Sequence, residues 1–413
     1  MKVLWLCNIV LPEFSGEFGL RKYHTGGWIT SMLHQLERRE GVDVAVCCPI
    51  IDEWRMKDGV CGGHQYYAFP FFNREYRECV KERFREILKD YAPDIVHIWG
   101  TEFPHTLAMV NVCQELGMLD RVVVNIQGLA SVIARHYYAD VPEKYIAMSV
   151  EGYPTLKDER GGFVFRGKYE VEALQKVQYV IGRTDWDRAC TKQMNPNVQY
   201  HFCNETLRDA FYEHIGEWSY DSCEKHSIFV SQASYPVKGF HYLLKAMPEV
   251  LRRYPDAHVY VSGNNIMLPD QRGNVRPYGQ YLGTLVQEYR LEGHITFLGM
   301  LNEEDMIAQY KRANVFVSAS TVENESNSLS EAVLIGCPIV YSLVGGVVSR
   351  EKAIGGFGYQ HDAEYMLSYY INQVFGQQRF PCNYETVRRF TDGEANAETL
   401  RKIYQMIIKN HDK

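Results

Sequence analysis

Short apolar runs recur along the chain, separated by stretches with helical spacing. Residues 3–7 are apolar and lead into a glycine-bearing loop that ends at Gly26-Gly27, after which Ile29, Met32, Leu33 and Leu36 fall on one helical stripe. Residues 42–48 form the next run, and this βαβ spacing predicts a parallel, doubly wound sheet. Over residues 74–91 Tyr76, Val80, Phe84, Ile87, Leu88 and Tyr91 recur at helical intervals within six basic and five acidic residues, the pattern of a solvated helix. Residues 94–99, 122–126 and 179–182 read as further strands; residues 135–168 lack clean periodicity and read as an irregular helical insertion.

Residues 205–226 carry no sustained pattern and are the linker candidate. The strand pattern then begins again at 228–231. Phe240, Leu243, Leu244, Met247, Val250, Leu251 and Tyr254 make the cleanest helical stripe in the chain, followed by strands at 257–261, 295–299, 315–317 and 339–341 and a short helix at 306–311. The expected fold class is therefore α/β, with two Rossmann-like doubly wound domains facing a central cleft. The expected domains are 1–205 and 206–382, with 383–413 a C-terminal helix that crosses back to brace the first.

The totals narrow the class. A length of 413 residues suits two cores, and a net charge of -7 argues against a primary nucleic-acid binder. The eleven cysteines are odd in number, and Cys7, Cys47 and Cys48 sit inside apolar runs, which reads as reduced, cytosolic usage. No run approaches the ~20 apolar residues of a membrane span. A cytoplasmic location is expected, with peripheral contact at the inner membrane face left open.

The densest polar chemistry lies between the strand at 315–317 and the helix pattern after it. Glu323 and Glu331 flank a run of Asn and Ser. Ser328-Leu-Ser-Glu331 fits a capping box, so Glu331 is read either as a helix cap or as a ligand contact. Glu323 lies upstream in the loop. The amides of Asn327, Ser328 and Leu329 are placed at the positive end of the helix, suited to a diphosphate. Lys238, at the end of the loop after residues 228–231, is the matching cation; a surface lysine in a turn is the alternative. Gly26-Gly27 allows a close backbone approach, or simply a tight turn. Glu102 and His105 lie in the loop after residues 94–99, where cleft residues are expected, although a structural histidine is an equal alternative. Asp185 and Asp187 follow Thr184 at a helix start and fit capping better than metal binding. Neither a dinucleotide fingerprint nor a P-loop is present.

Taken together, Gly26-Gly27, residues 94–102, residues 231–239 with Lys238, the 323–331 stretch and the Val344-Gly-Gly346 loop resemble the family-four retaining glycosyltransferases of the GT-B fold, with their E-x7-E motif. The resemblance implies a nucleotide-sugar donor, UDP ahead of GDP, bound by the second domain, and a saccharide or lipid-linked acceptor bound by the first. It assigns Glu323 to the donor sugar at the reacting carbon and Glu331 to the ribose. Lys238 with the Ser328 and Leu329 amides would hold the diphosphate, and Gly27 would admit the donor. Transfer would retain configuration with no metal or cofactor, and nucleic acid would be no partner. Surface polysaccharide or glycoconjugate assembly is the implied setting.

Two positions depart from the family pattern. Gln232 stands where many members carry arginine, and Arg183 is the candidate substitute. Gln127 stands where many carry a histidine, for which His105 is a candidate. A sugar-nucleotide epimerase or disaccharide synthase of the same fold, and a non-catalytic sugar-nucleotide binder, are the rival expectations.

Overall fold

The structure is a computed structural model that describes residues 1–20, 26–73, 75–378, 380 and 382–411. Residues 21–25 of the loop before Gly26, Arg74 of the charged helix and residues 412–413 of the C-terminal segment thus lie outside the described residues. The chain divides into two compact units. The first comprises Met1–Val132, Gly162–Arg208 and Phe390–Lys413, and the second Ile133–Gly161 and Asp209–Arg389.

Among the described residues the first unit holds eight strands: β1 (Lys2–Cys7), β2 (Asp43–Ile50), β3 (Gly59–Cys61), β4 (His64–Pro70), β5 (Ile95–Trp99), β6 (Val122–Asn125), β7 (Tyr179–Gly182) and β8 (Gln199–Phe202). Their order is β3-β4-β2-β1-β5-β6-β7-β8, parallel throughout except for the β3–β4 hairpin. Parallel strands are covered on both faces, which is why β1 reads as unbroken apolar sequence. Its side chains alternate: Val3, Trp5 and Cys7 enter one core with the helices Gly27–Glu37 and Gly393–His411, and Leu4 and Leu6 enter the other with Glu78–Tyr91 and Pro104–Glu115. The last helix is locked to the sheet by polar contacts as well as packing. Trp5 Nε1 donates to Tyr404 Oη at 3.1 Å, and that hydroxyl lies 2.5 Å from His97 Nδ1. Burial drives the His97 pKa down to about 3, so the ring is neutral.

The second unit holds β9 (Ser227–Val230), β10 (His258–Val261), β11 (Ile295–Phe297), β12 (Val315–Ser318), β13 (Ile339–Ser342) and β14 (Phe357–Tyr359), all parallel, in the order β11-β10-β9-β12-β13-β14. The helix Phe240–Arg253 buries Phe240, Leu243, Leu244, Met247 and Val250 of the stripe legible in the sequence.

Two segments are more ordered than their sequence suggests. Within 135–168 the chain forms the helices Glu143–Ile146 and Leu156–Lys176, and residues 133–161 belong to the second unit. His241 Nε2 donates to the Ala139 carbonyl at 2.6 Å, and Tyr145 Oη donates to Thr284 Oγ1 at 2.8 Å. The linker candidate is likewise built into this unit from residue 209 onward. Gly216 and Trp218 amides donate to Leu334 and Ile335 carbonyls, both at 2.9 Å, and Trp218 Nε1 donates to the Ala313 carbonyl at 2.7 Å. Partners about a hundred residues distant supply the order that local periodicity lacks. Among the described residues no helix is long and apolar enough to cross a membrane, and all eleven cysteines are free.

Candidate functional site

In the second sheet the connections reverse direction between β9 and β12, and the carboxyl ends of those strands bound a crevice, the usual ligand position in open α/β sheets. A small polar cavity of about 70 Å³ lies there, lined by Ser231, Gln232, Lys238, Ser320, Glu323 and Ser328 among others. The two loops approach so closely that glycine is required between them. Gly239 has φ 67°, and a Cβ on it would fall 1.8 Å from the Ala319 carbonyl oxygen.

Lys238 and Glu323 meet in this crevice. Lys238 Nζ lies 2.5 Å from Glu323 Oε1, and Ser320 Oγ donates to the same oxygen at 2.7 Å. Burial alone would discharge the lysine, but Glu323 and Tyr235 outweigh it and hold its pKa above the usual value. Lys238 is therefore a cation throughout the working pH range. The Glu323 main chain is fixed from the other side, where its carbonyl accepts from the Gly346 amide at 3.0 Å. Gly345 has φ 53°, and a Cβ there would strike that carbonyl oxygen at 1.8 Å.

The following helix begins two residues earlier than the capping-box pattern suggests. It spans Asn327–Ile335, with Ser326 as its cap, whose Oγ accepts from the Leu329 amide at 3.3 Å. Ser328 is thus helical and Glu331 is not the capping partner: this corrects the reading of that box. The Leu329 amide, expected to face a diphosphate, is engaged by Ser326; the amides of Asn327 and Ser328 are the leading donors of the helix. Glu331 is buried, with its Oε2 3.3 Å from Tyr310 Oη, which also lies 3.0 Å from the Ser328 carbonyl. Tyr310, Ser320 and Ser326 carry no signal in the sequence beyond their types. Glu325, inside the motif, forms an ion pair of 3.4 Å with Arg350.

The first unit reverses its connections between β1 and β5. Glu102 and His105 come together here through Asn8, which sequence reasoning missed. Asn8 Nδ2 donates to Glu102 Oε2 at 2.6 Å, and His105 Nε2 donates to Asn8 Oδ1 at 2.7 Å. Burial lowers the His105 pKa to about 3, so the ring is neutral; it stacks on Phe103 at 5.4 Å. Burial, reinforced by Glu170, raises the Glu102 pKa to about 7. Glu170 itself accepts from Thr101 Oγ1, the Ala130 amide and Ser131, fixing this loop to the start of the helix Ala130–His136.

The remaining expected residues lie in this unit in structural settings. Gly27 opens its helix, and a Cβ there would fall 2.9 Å from Arg208 Cγ. Gln127 accepts from Trp28 Nε1 at 3.2 Å and donates to Glu205 Oε1 at 2.6 Å and Asn125 Oδ1 at 2.8 Å. Arg183 is buried in an ion pair with Glu205. Thr184 and Asp187 form a reciprocal capping box, and Asp187 also accepts from the Arg183 amide and Tyr200. Among the described residues no cluster of three or more His, Cys, Asp or Glu is arranged to hold a metal ion.

Two parallel, doubly wound α/β units in succession define the GT-B fold. Its match to solved structures extends over the whole chain. Sucrose-phosphate synthase from Thermosynechococcus elongatus aligns over 99% of this chain and 100% of its own at 16% identity, with a TM-score of 0.70. The Anabaena protein HepE, solved with UDP-glucose, aligns over 100% and 99% at 14% identity, with a TM-score of 0.61. The family model described as Glycosyl transferases group 1 matches residues 217–365, the segment that carries Lys238, Glu323 and Glu331. An uncharacterised glycosyltransferase of Methanocaldococcus jannaschii is 33% identical over 129 residues, 31% of this chain and 30% of that protein. A phosphatidyl-myo-inositol mannosyltransferase of Mycobacterium leprae is 25% identical over 202 residues, 47% and 50% of the two. The chain thus matches between about a third and a half of the length of these two curated relatives.

Proposed function

We propose that the chain is a metal-independent retaining glycosyltransferase, moving a hexosyl group from a nucleoside-diphosphate sugar to a saccharide or lipid-linked acceptor in the cytoplasm. The observation that carries this reading is the Lys238–Glu323 pair beside a Ser326-capped helix start, at the switch point of the second sheet. Lys238 and the Asn327 and Ser328 amides receive the diphosphate, whose charge grows as the glycosidic bond breaks. Glu323, released from Lys238 as phosphate takes its place, faces the donor sugar, and Glu331 takes the ribose. The bond from the anomeric carbon to the phosphate oxygen breaks while the acceptor oxygen bonds on the same face. The acceptor proton passes to the leaving diphosphate.

Gln232 supplies no charge, so Lys238 and the helix start hold the diphosphate without the arginine common in family four. UDP-sugars are preferred over GDP-sugars, and surface polysaccharide or glycoconjugate assembly is the setting proposed.

A thermal-shift screen against UDP, GDP and ADP, followed by incubation of UDP- and GDP-sugars with and without saccharide acceptors, tests the reading. Stabilisation by UDP and acceptor-dependent product, unaffected by EDTA, are expected. Conversion of the free donor to an epimer sinks the transferase reading, and nucleotide binding without any turnover assigns a non-catalytic role.

A further inference from the structure

The first unit contains a second and larger cavity, about 380 Å³, at the carboxyl ends of β1 and β2. Its volume lies in the range of small-molecule sites. Ile9, Val10, Leu20, Ile50 and Phe71 give it a mainly apolar wall, and Asn8 is its fixed polar group. The Asn8 amide is held at both ends, by Glu102 and by His105, so it is presented in one orientation. Ile51 continues the apolar wall outward with 78% of its surface exposed, and Trp54 beside it is equally exposed.

Among the described residues, the lining of this cavity carries one cation and one anion, Arg55 and Asp52. Arg55 lies 3.7 Å from Asp52 and 4.5 Å over the Trp54 ring. The Trp54 ring and the apolar wall offer contact to hydrocarbon.

We propose that this cavity binds the apolar aglycone of the acceptor, an alkyl or prenyl-type chain attached to its sugar, with Asn8 contacting the sugar end. The inference rests on the glycosyltransferase reading above and specifies its acceptor class: an amphipathic glycoside instead of a free saccharide. The exposed Ile51 and Trp54 give the chain an apolar path out of the cavity.

Isothermal titration of the full chain with n-octyl and methyl β-D-glucoside, below the micellar concentration and without donor, tests this independently of turnover. The octyl glucoside is expected to bind at least about tenfold more tightly. Ile51→Ser, on an exposed side chain, and Phe71→Ser are each expected to weaken octyl binding about three- to tenfold, with circular dichroism confirming the fold. Equal affinity for the two glucosides, or octyl binding that neither substitution alters, overturns the proposal. So does binding to phosphatidylcholine vesicles without any octyl glucoside binding, which would assign the surface to a lipid bilayer. Octyl binding without any transfer would sink the activity alone, whereas a normal UDP response without octyl binding would sink only the aglycone site.

Discussion

The two sheets reverse direction in the same way, yet the crevices at their switch points are chemically opposite. In the second unit a lysine and a carboxylate face each other in a small polar cavity, and their charges lie where phosphate chemistry would use them. In the first, the polar groups at the switch point are an amide, a neutral histidine and a carboxyl raised to about 7, beside a larger apolar cavity. In the same unit Arg183 and Glu205 are buried against each other as an ion pair. One architecture thus carries a small polar site and a larger, mainly apolar one, and chemistry is assigned by side chains and not by topology.

The largest effect should separate the two crevices at once. Glu323→Ala is expected to lower kcat by at least about a thousandfold with unchanged circular dichroism, because in the proposed reaction the carboxylate acts at the reacting sugar. Near-normal turnover would remove the second crevice from the chemistry. Arg183→Met tests the opposite claim, that charge in the first unit is structural. It strands Glu205 in a buried setting and should cost about 3 kcal/mol in denaturant unfolding while leaving the UDP-induced thermal shift intact. A weakened UDP response without loss of stability would make Arg183 a phosphate ligand after all.

A smaller effect concerns Glu102. Its folded pKa of about 7 lies above the ordinary value of about 4.3, so the folded state holds the proton more tightly than the unfolded chain. Its contribution to stability is full below about pH 4 and is lost as pH rises toward 7. Glu102→Gln should remove that slope. Allowing for solvent screening, the wild type is expected to lose on the order of 2 kcal/mol relative to the variant between acid and neutral pH. Parallel slopes in urea titrations of the two proteins would show a carboxyl that is not raised. Smallest of all, Tyr310→Phe removes a hydroxyl shared by the Ser328 carbonyl and Glu331. It should cost about 1 kcal/mol and raise the donor KM a few-fold with kcat little changed.

Much of this architecture was legible in the sequence, because fully covered parallel strands must be apolar on both faces and the helices between them must be striped. That Lys238 and Glu323 would meet was legible because both stand in loops that leave strands of one sheet. What local pattern could not supply was any feature with a distant partner. Asn8 acquires its meaning from residues in the loop and helix after β5, and Glu170 from the start of the helix Ala130–His136. Residues 209–226 look patternless because Trp218 and Phe211 are ordered by another part of the same unit. The misplaced cap has a different cause. Ser326 and Ser328 are both competent caps, and the acid at Glu331 favours the wrong one in sequence, whereas the folded chain starts its helix where the β12 loop delivers it.

The contact of Gly345 and Gly346 with the Glu323 main chain bears on engineering. The Glu323 main chain is held by a loop that follows β13, so the segment 319–331 cannot be transplanted to another α/β scaffold by itself. A graft would have to bring 344–346 with it. Conversely, Gly345→Ala would drive a Cβ into the Glu323 carbonyl and displace that loop while leaving every other residue of the crevice as it was.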